Sequence, residues 1–160
     1  MVLLGIFVDL ARHILNCGGS VSFEWPAYCV GWQIPGLQKF FDQNGFGQTL
    51  CHGCAFGLEH RGRLIKKPWR IVSTHQPLLD KLEKYKCSCP PGSHAPCMGA
   101  ATSNTENYTP QMAKIIIAGT LVPGLRPSAP QHAKINSISS LDKTTGILCC
   151  FLENLISILL

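Results

Sequence analysis

The chain has 160 residues, of which 46% are hydrophobic and 14% charged, against about a quarter charged in ordinary soluble domains. That length permits one domain with a real core, and the apolar content excludes a highly charged disordered chain. The net charge of +5 is moderate and its cations gather between Arg61 and Lys86, which points to a local anionic partner and away from general coating of nucleic acid.

Apolar spacing predicts a helix over about Leu3 to Asn16. Asp9 breaks the opening apolar run too early for a signal peptide, and Leu10, His13, Ile14 and Cys17 continue at helical spacing. Gly18-Gly19 ends that helix, and Val21 to Trp25 reads as a strand closed by Pro26. A second helix fits Pro35 to Asn44, with Leu37, Phe40 and Phe41 on one face and Gly45 as its stop. The segment from Cys51 to Thr74 reads as a loop that passes into the strand WRIVS. A third amphipathic helix follows from Pro77 to Lys86, with Leu78, Leu79, Leu82 and Tyr85 inward. Proline and glycine deny regular structure to Cys87 through Gly99, and then Thr109 as cap with Pro110 in the first turn begins a helix ending at Gly119. Three regions result: a folded unit over 1–118 with a Cys/His-rich loop at 87–99, a Pro/Ser-rich linker over 119–146, and an apolar segment over 147–160. Glu153 and Asn154 interrupt the last of these, which falls short of the roughly 18 to 20 apolar residues of a membrane span, so none is expected.

The stretch from Cys51 to Thr74 concentrates the chemistry. It joins a Cys-x-x-Cys pair and a Phe56-Gly57 turn to five cations in ten residues, Arg61, Arg63, Lys66, Lys67 and Arg70. Cations beside a glycine turn are what a protein presents to phosphate, so these five are the candidate nucleic-acid contacts. Nine cysteines, an odd number set in tight clusters beside histidine, fit reduced thiols and a metal better than a secreted disulfide framework, and so an intracellular protein of cytoplasm or nucleus. Cys51, Cys54, Cys87, Cys89, His94 and Cys97 offer more than the four ligands of a structural zinc site. The preferred set is Cys54, Cys87, His94 and Cys97, with Cys51 and Cys89 as alternates; the competing reading is a loop of reduced, partly buried cysteines. Glu24, at the end of its strand and before Pro26, is either an acid pointing into a ligand crevice or a solvent-facing edge residue. His13, His60, His75 and His132 are isolated and read as surface or capping residues.

A strand ending in Glu24-Trp25-Pro26, then a helix, then Phe56-Gly57-Leu58 leading through Arg61, Arg63, Lys66 and Lys67 into a strand resembles the rear half of cytosine-C5 DNA methyltransferase domains. It is also similar to methyltransferase-like proteins carried by phages and mobile elements, including retroelements. The likeness covers roughly residues 20–75. It implies a partial Rossmann-like α/β sheet with flanking helices, the Cys/His-rich loop as an insertion, an irregular or disordered C-terminal tail, and Glu24 in the role of the acid that contacts the target base. Trp25 stands where the family has asparagine, the Gln-x-Arg-x-Arg core is not intact, and neither a Phe-x-Gly-x-Gly cofactor loop nor a Pro-Cys nucleophile strand precedes Glu24. Methyl transfer to C5 needs a bound S-adenosylmethionine and a cysteine thiolate. The expectation is therefore a non-catalytic methyltransferase-like fragment that does not bind S-adenosylmethionine, that faces nucleic acid with its basic segment, and that lacks an N-terminal half or a protein partner. A zinc-stabilised nucleic-acid or protein interaction module is the first competing class, and a non-functional open-reading-frame fragment the second.

Overall fold

The computed structural model describes residues 2–97, 102, 105, 107–120 and the backbone of 157–158. Helix α1 (Val2–Asn16) places Phe7, Ala11 and Ile14 one turn apart on its buried face. It ends in a Schellman motif: Gly18 has φ +79, the Gly19 N–H donates to Ile14 O at 3.0 Å and the Gly18 N–H to Leu15 O at 3.0 Å. Strand β1 (Ser22–Pro26), helix α2 (Pro35–Gln43), strand β2 (Gly47–His52), a small hairpin of β3 (Glu59–His60) and β4 (Arg63–Leu64), and strand β5 (Pro68–Ser73) follow. Two helices come next, α3 (Gln76–Leu82) and α4 (Pro110–Thr120), and Ser157–Ile158 forms β6.

The main sheet has the order β2-β5-β1-β6. β5 runs antiparallel to both neighbours, with Glu24 opposite Ile71 and Ile71 opposite Thr49, while β6 adds a short parallel pair to Ser22 and Phe23. β1 and β2 therefore point the same way, and β5 is inserted between them. The mixed α/β class agrees with the sequence reading. The parallel sheet that a Rossmann-like domain implies is not seen among the described residues, where the central pairings are antiparallel.

Alternation along the strands gives the sheet two unlike faces. Phe23, Trp25 and Val72 meet Phe7, Ile14, Trp32, Phe40 and Phe41 under α1 and α2. Trp69, Ile71 and Cys51 meet Phe56, Leu78, Leu82, Met112 and Ile116 under α3 and α4. The result is three layers, helices on both sides of a sheet.

Three stretches depart from the sequence reading. Cys51–His52, the end of a strand that begins at Gly47 in a stretch given no element, and the β3–β4 hairpin are strand where loop was expected. Their order comes from tertiary pairing with β5 and from the turn at Arg61-Gly62, whose positive φ values of 51 and 73 match a two-residue type I′ hairpin. Helix α3 stops at Leu82 and not at Lys86, because the chain beyond turns back along β2: the His52 N–H donates to Tyr85 O at 3.0 Å, and Lys86 Nζ donates to Leu50 O. Apart from 119–120 and the 157–158 pairing, the linker 119–146 and the apolar segment 147–160 lie outside the described residues.

Phe23 is fully buried and its ring meets Phe7, Trp25, Trp32 and Phe41. Phe23→Ala is expected to cost ~3–5 kcal/mol by equilibrium urea denaturation, whereas Leu3→Ala on the exposed side of α1 should stay within ~0.5 kcal/mol.

Candidate metal centre

The first half of the centre is the 3-10 turn Gly53–Phe56 that leaves β2. The Gly53 N–H donates to Lys67 O at 2.9 Å and Lys66 O at 3.2 Å, and a Cβ at Gly53 would sit 2.5 Å from Leu58 Cδ2 and 3.1 Å from Ile65 O, so a larger residue there would have to displace its neighbours. Gly57 closes it in the left-handed conformation at φ +72. Within this locked turn Cys54 is buried.

The second half is the irregular chain after α3. The Cys87 N–H donates to His52 Nδ1 at 3.1 Å, fixing the start of the loop against the end of β2. A turn held by Ser93, whose N–H and Oγ both donate to Pro90 O, then reverses the chain through Gly92 at φ +75. Cys87 Sγ and His94 Nε2 end 3.5 Å apart. One ligand atom each from Cys54, Cys87, Cys89 and His94 lie within 4.8 Å of one another, and the group could hold a metal ion. A tetrahedral zinc, with Zn–S ~2.3 Å and Zn–N ~2.0 Å, spaces its ligand atoms by roughly 3.5–3.8 Å. Small side-chain movements would close the four donors around such an ion.

Of the six sequence candidates, the structure brings together Cys54, Cys87, Cys89 and His94. Cys97 is exposed and lies 3.5 Å from Thr105 Oγ1, and Cys51 is still within β2, facing the core opposite Trp69. Burial and then the nearby Glu24 charge push the Cys51 thiol up to about 12, against a partial lowering by Lys86, so it stays protonated. The signal for Cys89 over Cys97 was in the sequence: Cys87-Ser88-Cys89 abuts the Pro90-to-Ser93 turn that folds His94 back, whereas Cys97 lies beyond it.

Within the group, burial and contact with the Cys87 and Cys89 thiols push Cys54 up to about 12, while a hydrogen bond from the Cys89 backbone lowers Cys87. Burial and then the Lys66, Lys86 and His94 charges lower His52. The neutral imidazole so favoured is the form that can accept the Cys87 N–H.

The five cations divide. Arg61 sits at the hairpin tip, and Arg63 donates from Nη2 to His94 O at 3.1 Å while the Ala95 N–H donates to Leu64 O at 2.8 Å. Arg61, Arg63 and Lys66 are exposed. Lys67 instead donates to Thr105 O at 2.6 Å and lies over the Trp69 ring, and Arg70 lies over Trp32 on the opposite face of the sheet.

Glu24 is 6% exposed and enclosed between the sheet and helices α3 and α4. Tyr108 OH donates to its Oε2 at 3.2 Å, while Oε1 and Thr49 Oγ1 are buried with no hydrogen-bond partner. Beside it is a cavity of about 10 Å³ lined by Ser22, Leu82, Tyr108 and Ile116 among others, roughly the room for one water molecule. Burial raises the carboxyl to about 7 against the opposing effects of the Tyr108 hydrogen bond and the Lys67 charge.

No known protein family, curated protein or solved structure matches the chain.

Two expectations follow from these placements. Cobalt(II) titration of the reduced protein should give a tetrahedral thiolate spectrum that Cys97→Ser leaves intact and Cys89→Ser shifts in both intensity and affinity; the reverse pattern would assign the fourth ligand to Cys97. For Glu24, the native state retains between pH 4.5 and about 7 a proton that the unfolded chain releases. Its contribution is thus full below pH 4.5 and lost as pH rises through 7, a loss of roughly 3 kcal/mol. Glu24→Gln, compared with the wild type at equal metal loading, should gain about that much relative stability over the same window, and a pH-independent difference would refute the assignment.

Proposed function

We propose that this chain is a non-catalytic, zinc-organised nucleic-acid-binding module, in which an ion held by Cys54, Cys87, Cys89 and His94 fixes a basic hairpin for contact with phosphate. The observation that carries this reading is the double attachment of the ligand loop to the hairpin, Arg63 Nη2 to His94 O and the Ala95 N–H to Leu64 O. Whatever orders His94 also orders the strand that presents Arg61 and Arg63. Three thiolates and one imidazole suit zinc in a closed tetrahedral site, which is structural and leaves no position for substrate. Three thiolates around a divalent ion also leave a net negative charge, which Arg63, Lys66 and Lys86 can offset from the rim.

Arg61 favours the same reading. It is the non-glycine residue with positive φ among those described, at a cost of ~1–2 kcal/mol relative to glycine, and strain of this kind concentrates where a side chain is needed for binding. A reducing compartment, cytoplasm or nucleus, keeps such thiols competent as ligands. The likeness of residues 20–75 to methyltransferases enters through the same nucleic-acid partner and supplies no catalytic step.

Fluorescence anisotropy with a labelled oligonucleotide tests the proposal. Binding should be weak and strongly salt-dependent, Lys66→Ala should reduce the slope of log affinity against log salt by about one, and chelation of the metal should weaken binding about tenfold or more. Arg61→Gly should bind more weakly while gaining ~1 kcal/mol in stability. Salt-independent binding, no binding at low salt, or binding indifferent to chelation would overturn the reading.

A further inference from the structure

The pairing register places the end of β1, the start of β5 and the end of β2 together: Pro26 is opposite Trp69, and Trp69 is opposite Cys51. The turn that follows β1 is joined to the start of β5 by the Ala27 N–H, which donates to Pro68 O at 3.0 Å. Lys66 and Lys67, the two preceding residues, hold Gly53 and with it the Cys54 turn. The metal-ligating group, the exposed Lys66 and the turn after β1 therefore share one end of the sheet.

That turn exposes Tyr28 by 87%, the largest exposure among the big hydrophobic side chains of the described residues, and Val30 by 78%, equal to Val2 at the start of α1. It is nonetheless braced. The Cys29 N–H donates to Pro26 O at 2.9 Å, Trp32 Nε1 donates to the same oxygen at 3.0 Å, and Cys29 Sγ accepts the Gly31 N–H at 3.4 Å. Gly31 lies against the Trp25 ring so closely that a Cβ there would be 2.1 Å from Cζ3. Tyr28 is thus an outward aromatic on a braced turn, adjacent to Ala27, whose hydrogen-bond partner Pro68 stands two residues after the exposed Lys66.

We propose that the Tyr28–Val30 turn is a base-stacking platform and that the polymer bound is single-stranded nucleic acid, an inference that rests on the nucleic-acid reading above and names its substrate class. A strand without a partner offers unstacked bases to an aromatic side chain and phosphates to neighbouring cations, the combination that single-strand binders use. A duplex keeps its bases stacked inside and offers Tyr28 nothing. The positive charge of the exposed Lys66, two residues before the Pro68 that holds this turn, selects a polyanion over an apolar protein surface as the occupant.

The test compares a short oligothymidylate, the same backbone with abasic positions, and a duplex, all with the zinc-loaded protein. The wild type should prefer the oligothymidylate to the duplex, and Tyr28→Ala should weaken it about 5- to 100-fold with the salt slope unchanged. Tyr28→Phe should restore binding, and the abasic strand should bind wild type and Tyr28→Ala alike. Equal affinity for single strand and duplex, or an oligothymidylate affinity indifferent to Tyr28→Ala, overturns the platform while leaving the metal-organised basic module standing. Absence of binding to every nucleic acid at low salt overturns both.

Discussion

Three consecutive backbone carbonyls, those of Lys66, Lys67 and Pro68, hold one end of the sheet and its two turns together. The first two accept from the Gly53 N–H and so fix the turn that carries Cys54, and the third accepts from the Ala27 N–H and so fixes the turn that carries Tyr28. Pro68 suits the position because it has no N–H to leave unpaired and stands first in its strand, where proline is tolerated. From there β5 runs between β1 and β2, hydrogen-bonded along both edges. A disturbance at 66–68 would reach the turn that carries Cys54 and the turn that carries Tyr28 at once, although the two are far apart in sequence.

The two faces of the sheet contribute differently to that arrangement. The face under α1 and α2 is a continuous aromatic packing in which Phe7, Phe23, Trp25, Trp32, Phe40 and Phe41 meet at ring-centroid distances between 4.7 and 6.4 Å, a source of rigidity beyond area burial. The other face is apolar except for Glu24, Thr49 and the Ser22–Ser73 hydroxyl pair at 2.9 Å. A carboxyl with one oxygen lacking a partner is an expensive thing to enclose, and the structure moderates it by protonation, through a raised pKa, and not by a salt bridge. Lys67 is nearby but donates to Thr105 O, so it lowers the Glu24 pKa through space without neutralising the group.

Much of the framework was legible in the sequence because local chemistry and global fold agree there. Gly18-Gly19 terminates α1 through the expected left-handed glycine, and Thr109 caps α4 by accepting the Met112 N–H at 3.1 Å while its hydroxyl donates to Phe56 O. β2 was not legible. Its sequence, Gly47-Gln-Thr-Leu-Cys-His52, has little strand propensity, and it is ordered by pairing with β5 and by contact with α3, where a Cβ on Gly47 would lie 2.8 Å from Leu79 Cδ1. The cations show the same limit: nothing local distinguishes Lys66 from Lys67 or Arg63 from Arg70. The distinction comes from tertiary packing, which sets Lys67 over Trp69 and Arg70 over Trp32 while Arg63 reaches His94 O.

The loop from Cys87 to His94 has few contacts of its own to order it, and its Cys/His group could hold a metal ion. Besides the contacts among its thiols, Cys54 and His94, it is held by the Ser93–Pro90 turn and the attachments through His52 and β4, and its side chains are half-buried or exposed. Ordering residues 87–94 costs ~1–2 kcal/mol each, roughly 8–16 kcal/mol in all, far more than those few bonds return. Structural zinc contributes ~10–16 kcal/mol in small sites at neutral pH, which matches the deficit. The balance also explains the position of His52: by accepting the Cys87 N–H it begins the loop at a fixed point on β2, so the ion need gather only the short span from Cys87 to His94 onto an already rigid Cys54. An ion held there would order the loop, and the loop, bonded to Arg63 and Leu64, would in turn brace the hairpin that carries Arg61 and Arg63.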